Sequence, residues 1–212
     1  VLGGKVNGGK GVIVEVNCET DFAAKDDSFQ AFVGTVTEKV FETGSTDIEA
    51  LGLEPEREAL VQKIGENISI RRVEVFEDGA QVVEYIHTNG KIGVLIAMEG
   101  GSEDLGKDVA MHIAAMNPTV VSPEDAPADL VAKEREIYTA QAQESGKPPE
   151  IIEKMIDGRI KKYLSEISLL EQPFVKDSDT KVSGLLRNEG ASVTRFVRFE
   201  VGEGIEKEEE DF

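Results

Sequence analysis

The side chains best suited to covalent or metal chemistry are scarce: the 212 residues include one cysteine, Cys18, and two histidines, His87 and His112. Cys18 shares strand parity with Val14 and Val16, which favours a buried, inert thiol over a nucleophile. His112 falls on an apolar helical stripe, which is typical of a half-buried structural histidine. His87 stands at the end of a strand just before a turn, where a side chain reaches solvent, which is typical of a surface histidine. This set excludes an internal disulfide framework and a multi-cysteine zinc site, and it fits a reducing compartment.

One glycine-rich run, residues 4–11, matches part of a phosphate-binding loop, G-x-x-x-x-G-K followed by Ser or Thr. It has Gly11 where that loop needs the hydroxyl for magnesium, and it leads into a strand-like run instead of a helix. Residues 202–204 lack the third glycine of a dinucleotide motif. Carboxylates are so abundant that no acid–base pair stands out. We therefore predict that the chain is not an enzyme and holds no metal or cofactor.

The charge balance points away from nucleic acid. There are 42 acidic and 23 basic residues, a formal net charge of −19, which would repel a phosphate backbone. The densest basic cluster, Arg159, Lys161 and Lys162, lies among acidic residues, and no apolar run approaches the roughly 20 residues of a membrane span. We expect a cytoplasmic protein that contacts neither nucleic acid nor membrane directly.

Two Asn-Gly pairs, Asn7-Gly8 and Asn89-Gly90, each precede a Lys and a short apolar run, which predicts two β-hairpins. A strand and then a helical spacing of apolar residues follow each turn, at 12–18 and 29–40, and again at 92–98 and 105–116. Both halves also end alike, with a helix that stops at Gly65 or Gly190 before a final strand.

This repetition predicts an α+β fold of two homologous subdomains, 1–86 and 87–212, each a small antiparallel sheet packed on helices. The second contains an insertion at about 122–177. There, a proline-rich break at 146–149 separates two helical patterns, the first from about Ala128 to Ser145, which predicts an antiparallel helical hairpin about 24 Å long. Its apolar stripe could pack internally or serve self-association.

The run 16–25, VNCETDFAAK, closely resembles the signature of the elongation factor Ts family, with Ala23 where that family usually has Val. Further blocks match in order at 64–72, 111–112, 143–148, 169–175 and 198–204. The resemblance covers essentially the whole chain. It implies the core domain of that family, with two subdomains and a coiled-coil hairpin in the second, but without the small helical N-terminal domain and most of the C-terminal module.

The resemblance implies a guanine-nucleotide exchange factor for the translational GTPase elongation factor Tu, to which the magnesium and GDP or GTP belong. In this family the motif ends a strand and opens a loop, and Asp21 and Phe22 carry over as a wedge near that magnesium and nucleotide. The implied partner contacts are Thr20, Asp21, Phe22, Ala23, Ile64, His87 and Val175. By pattern alone Asp21 is an ordinary turn residue and Ile64 a core residue.

A second reading stays open. The chain could be a chaperone-like subunit that holds a GTPase without accelerating nucleotide exchange, because regions that contact the partner in the family are missing. Release of labelled GDP distinguishes the two, since a subunit that only binds leaves the release rate unchanged.

Overall fold

The computed structural model describes residues 1–77 and 81–205. The acidic run at 206–212, which its composition predicts to be solvated, lies outside the described residues. The chain divides into two compact units: residues 1–114 together with the segment from Ser192 onward, and residues 115–191. The division into subdomains at residue 86 stays a prediction.

The elements, in chain order, are β1 (Leu2–Asn7), β2 (Lys10–Asn17), α1 (Asp21–Ala24), α2 (Asp27–Thr43), α3 (Glu54–Ile64), β3 (Ser69–Phe76), β4 (Gln81–Ile86), β5 (Ile92–Glu99), α4 (Glu103–Met116), α5 (Ala128–Gln143), α6 (Pro149–Ile167), β6 (Pro173–Phe174), β7 (Asp177–Lys181), α7 (Val182–Asn188) and β8 (Ser192–Glu200). Short 3₁₀ turns lie at Glu49–Leu51, Pro123–Asp125 and Leu169–Glu171. Among the described residues, none of the helices has the length and hydropathy that a membrane span requires.

The first sheet has the strand order β1-β2-β3, with antiparallel pairs throughout. Asn7 pairs with Lys10, and Gly8 between them has a φ of 60°, which glycine adopts without steric cost. The glycine-rich run is therefore a β-hairpin, as predicted, and not a phosphate loop. Valines of one face of β2 form a buried core with the predicted apolar stripe of α2, Phe29, Phe32, Val33, Val36 and Val40.

The second sheet has the order β4-β5-β8, again antiparallel. The loop from His87 to Lys91 joins β4 to β5, so the second Asn-Gly hairpin is confirmed as well. In α4, His112 is fully buried, not half-buried as the stripe suggested, and its neighbours Val109 and Ile113 are fully buried as well. Met116, predicted on the same stripe, is the last residue of α4 and is 46% exposed.

A second core lies between the two sheets of this unit and includes Leu2, Ile13, Phe76, Leu95 and Phe199. Backbone hydrogen bonds join the sheets as well. Leu2 N donates to Gly90 O at 3.0 Å, and Val82 N donates to Gly8 O at 3.1 Å. The β4–β5 loop is thus held against the start of β1, and β1 in turn pairs with the end of β2 through Leu2 and Glu15. Loops that are distant in sequence meet there.

In the unit of residues 115–191, α5 and α6 pack along a small apolar cluster. Its members are Ala142, Ile156 and Ile160, with Val131, Tyr138, Ile152 and Leu164 partly buried around them. Gly146, with a φ of 67°, lies in the tight connection between the two helices. The predicted α+β fold with a helical hairpin is confirmed.

Candidate functional site

The segment after β2 is a single helical turn, α1, and not the loop that the motif predicted. Thr20 is its N-cap: Thr20 Oγ1 accepts a hydrogen bond from Ala23 N at 3.2 Å, and Ala24 N donates to Thr20 O at 3.1 Å. Thr at the N-cap and Asp21 in the first turn suit a helix N-terminus, because both satisfy or complement its free N–H groups. The sequence therefore favours a helical turn here.

Two neighbouring apolar residues of this turn, Phe22 and Ala23, have opposite environments. Ala23 is 5% exposed and faces the body of the protein, whereas Phe22 is 89% exposed. An isolated exposed apolar residue is common, but an almost fully exposed phenylalanine on a short, capped turn offers a large apolar surface for a partner to bury. The proposed contact through Ala23 stays a prediction.

Two glutamates hold the turn from both sides. The carboxylate of Glu66 accepts from Glu19 N at 3.0 Å, from Thr20 N at 2.8 Å and from the Thr20 hydroxyl at 2.6 Å. In return, the carboxylate of Glu19 accepts from Asn67 N at 3.0 Å. Glu66 reaches this position because α3 ends at Gly65, whose φ of 81° reverses the chain. Sequence reasoning missed both glutamates as site residues.

A groove of about 980 Å³ lies beside the turn, and its lining includes three of the predicted partner contacts, Thr20, Asp21 and His87. Lys91, from the β4–β5 loop, places its Nζ 3.4 Å from Asp21 Oδ1. Both side chains are well exposed, so solvent screens this ion pair. The structure thus brings the motif and the second hairpin loop to one surface, although they are about 65 residues apart in sequence.

His87 is exposed at the edge of the groove. Its Nδ1 accepts from Asn89 N at 3.4 Å, and its ring lies edge-on to Tyr85 with 6.5 Å between centroids. These contacts orient the imidazole towards the loop without burying it, which fits the surface histidine that the sequence predicted.

Cys18 packs against the core of the first sheet but is only partly buried, not buried as its strand parity predicted, because β2 ends at Asn17. Burial raises the pKa of its thiol, and the thiol donates a hydrogen bond to Thr20 O at 3.3 Å. A protonated, hydrogen-bonded thiol is a poor nucleophile. Its role here is to fill space and support the turn.

The two remaining predicted partner contacts, Ile64 and Val175, do not line this groove. Ile64, the last residue of α3, is half-buried against the same core as Cys18. It is therefore part of the core, as its pattern predicted, and part of its side chain stays accessible to a partner. Val175 belongs to the other unit, in the tight turn between β6 and β7, and is 43% exposed. In residues 1–77 and 81–205 we find no group of three or more His, Cys, Asp or Glu side chains arranged to hold a metal ion.

The chain is similar in sequence to known proteins over most of its length. Residues 19–203 match the family described as elongation factor TS. The chain is 57% identical over 204 residues to elongation factor Ts of Hahella chejuensis, covering 95% of this chain and 71% of that protein. It is 56% identical over 211 residues to elongation factor Ts of Teredinibacter turnerae, covering 97% and 72%. Elongation factor Ts of Cellvibrio japonicus is also 56% identical, over 205 residues that cover 95% and 70%.

Proposed function

Because the chain belongs to the elongation factor Ts family, we propose that it is a guanine-nucleotide exchange factor that accelerates release of GDP from elongation factor Tu. It makes and breaks no covalent bond, so it is not an enzyme. The magnesium ion and the nucleotide are held by the partner. Its setting would be the cytoplasm, and its net charge of −19 argues against a direct nucleic-acid partner.

The observation that carries this proposal is Phe22, 89% exposed on a capped turn. Burying a phenylalanine in a partner pocket contributes about 1.5–3 kcal/mol. That energy is gained only when the ring inserts, so it can offset displacement of partner side chains near the nucleotide. Phe22 is therefore the wedge in this mechanism.

Asp21 supplies the second element. It is exposed, and solvent screens its ion pair with Lys91, so its carboxylate can exchange partners at an interface. A carboxylate brought close to a metal site disturbs the hydrogen bonds that orient the ligands and waters of magnesium. The bound nucleotide then loses part of the support that magnesium gives to its phosphates.

Phe22 and Asp21 cannot supply the whole effect. Weakening nucleotide affinity a thousandfold requires about 4 kcal/mol of coupling between the two sites. We assign the remainder to a wider interface that includes Thr20, Ala23, Ile64 and His87, with Val175 as a contact from the other unit. Coupling is reciprocal, so nucleotide binding must also expel the factor, which makes exchange a cycle without a chemical step.

The test is the rate at which a fluorescent GDP analogue leaves elongation factor Tu in stopped flow, with excess unlabelled GDP and increasing factor. We expect Phe22→Ala to slow stimulated release about tenfold or more, which corresponds to a loss of about 1.4 kcal/mol. Met116→Ala, which trims another exposed apolar side chain outside the proposed interface, is the matched control.

The same assay tests the alternative function, a subunit that binds elongation factor Tu without accelerating exchange. A chaperone-like subunit would co-migrate with nucleotide-free elongation factor Tu on gel filtration while leaving GDP release at its spontaneous rate. Unchanged release with Phe22→Ala, in a chain that does stimulate, would reject the wedge but keep the exchange function.

A further inference from the structure

The helical turn that carries Phe22 is too short to hold its own shape. It has four residues, Asp21–Ala24, and an isolated helix of that length is unstable in water because nucleation is unfavourable. The Phe22 ring is 89% exposed and so contributes almost no packing. The orientation of the wedge must therefore come from groups outside the turn.

Cys18 and Gln30 each donate one hydrogen bond, to Thr20 O and Ala24 O, whereas Glu66 accepts three. Its partly buried carboxylate collects three hydrogen bonds from the two residues just before the turn, at 2.6–3.0 Å. Bonds from N–H and O–H groups to a carboxylate are the stronger, charge-assisted kind. Glu66 is anchored in turn by its place directly after Gly65, and Asn67 N donates back to Glu19.

The bond to the Thr20 hydroxyl has a specific consequence. A hydroxyl has one proton and two acceptor sites, and here the proton is given to Glu66 Oε2. The lone pairs of Thr20 Oγ1 are then left to accept from Ala23 N, which is the capping bond of the turn. Glu66 thus fixes the donor direction of the N-cap, and through it the start of the turn that presents Phe22.

We propose that Glu66 is a positioning residue for exchange, which holds the Thr20–Phe22 turn in the geometry that inserts the wedge. This rests on the proposed function. Without Glu66 the turn would sample other conformations, and the partner would have to order it on binding. The Phe22 ring would still be present but would reach the partner in the productive direction less often.

A double-mutant cycle tests the proposal with elongation factor Tu loaded with a fluorescent GDP analogue. We expect Glu66→Ala to lower the maximal stimulated release rate about tenfold. Glu66→Gln should restore part of it, because its single oxygen can still accept from Glu19 N and Thr20 N while its amide nitrogen cannot accept from the Thr20 hydroxyl. With Phe22→Ala already present, adding Glu66→Ala should slow release no more than about twofold further. Independent, multiplicative losses would overturn the proposal, as would equal losses with Gln and Ala. Glu58→Ala, an exposed glutamate of α3, is the control for lost charge.

Amide hydrogen exchange gives a readout that does not depend on nucleotide release. Glu19 N–H and Thr20 N–H both point to Glu66 Oε1, so their exchange should be about tenfold faster in Glu66→Ala while the amides of α2 keep their protection. Unchanged exchange at these two amides would overturn the proposal even if release slowed. If the unaltered chain does not stimulate release, the exchange function fails, and hydrogen exchange alone still decides whether Glu66 orders the turn.

Discussion

Arg72 Nε lies 2.7 Å from Glu15 Oε1, and Glu15 is completely buried between the two sheets of its unit. Arg71 Nη1 contacts both carboxylate oxygens of Glu15, at 3.1 and 3.2 Å, and Gly202 N donates to Oε2 at 3.2 Å. A single carboxylate thus joins β2, β3 and the segment after β8. It is a buried polar group beside the apolar core between the two sheets.

Removing this charge should destabilise the protein strongly. Glu15→Gln leaves two arginines facing a neutral side chain, and breaking a buried ion pair in this way costs about 3 kcal/mol of unfolding free energy. Urea unfolding at pH 7 measures the loss. Glu38→Gln, which removes one carboxylate from the exposed pair with Lys5, is the matched control and should cost less than about 1 kcal/mol. Equal losses in the two variants would contradict the prediction.

The contribution of Glu15 should also depend on pH. Burial raises the pKa of this carboxyl, but the hydrogen bonds from Gly202, Arg71 and Arg72 outweigh burial and leave the pKa below its usual value. A lowered folded-state pKa means that the stabilisation is present above the unfolded value of about 4.3 and is lost as pH falls through the folded pKa. The stability difference between the unaltered chain and Glu15→Gln should therefore shrink only in that acid range.

Glu84 should show the opposite dependence. Its Oε2 is buried and has no hydrogen-bond partner in the described part of the chain, and burial raises the pKa of the carboxyl against the weaker opposing effect of Lys107. Stability due to the neutral acid is full below the unfolded pKa and is lost as pH rises through the folded pKa. Glu84→Gln should therefore gain about 1 kcal/mol at pH 7, and this gain should vanish near pH 4.

Urea midpoints at the two pH values measure this gain. Glu99→Gln, an exposed glutamate on the next strand, is the control and should change stability little at either pH. A destabilised Glu84→Gln at pH 7 would show that Lys107 compensates the buried charge.

The repeated order of elements could be predicted from sequence because its signals are local. Asn-Gly pairs mark the hairpins, and threefold and fourfold spacing of apolar residues marks α2 and α4. Glu15 could not be recognised in the same way. Alternation in β2 puts it on the face opposite to Val14 and Val16, which a single sheet would leave to solvent, whereas packing of the second sheet buries it.

The candidate site shows the same division between local and distant information. The Thr20–Phe22 motif is contiguous, so it was visible by resemblance. Glu66 lies 46 residues from Thr20, and Lys91 lies 70 residues from Asp21, so neither is marked by a nearby pattern in a chain with 42 acidic residues. Only the pairing of β2 with β3, and the bond from Leu2 to Gly90, bring these groups to the turn.

Two helix glycines should respond oppositely to substitution by alanine. A Cβ at Gly106 in α4 would lie 2.7 Å from Val83 Cγ2 and 3.2 Å from Val83 Cβ, whereas a Cβ at Gly158 in α6 meets nothing within 4 Å. Alanine is favoured over glycine in a helix by about 1 kcal/mol. We therefore expect Gly158→Ala to stabilise by about that amount, and Gly106→Ala to destabilise by about 1–2 kcal/mol because of overpacking. Thermal unfolding of both variants checks the signs, and a stabilised Gly106→Ala would contradict the packing argument.

Self-association through the helical hairpin remains a prediction, and the structure changes which residues would carry it. Most of the apolar stripe is used within the hairpin, where Ile156 and Ile160 are buried, so Ile137 and Ile151, 41% and 47% exposed, are the large apolar side chains left for a second copy. If the hairpin associates, the sedimentation coefficient of the unaltered chain should rise with concentration, while Ile137→Ser with Ile151→Ser should stay monomeric. The control, Met116→Ser, should associate like the unaltered chain. Identical coefficients for all three chains at every concentration would exclude this role.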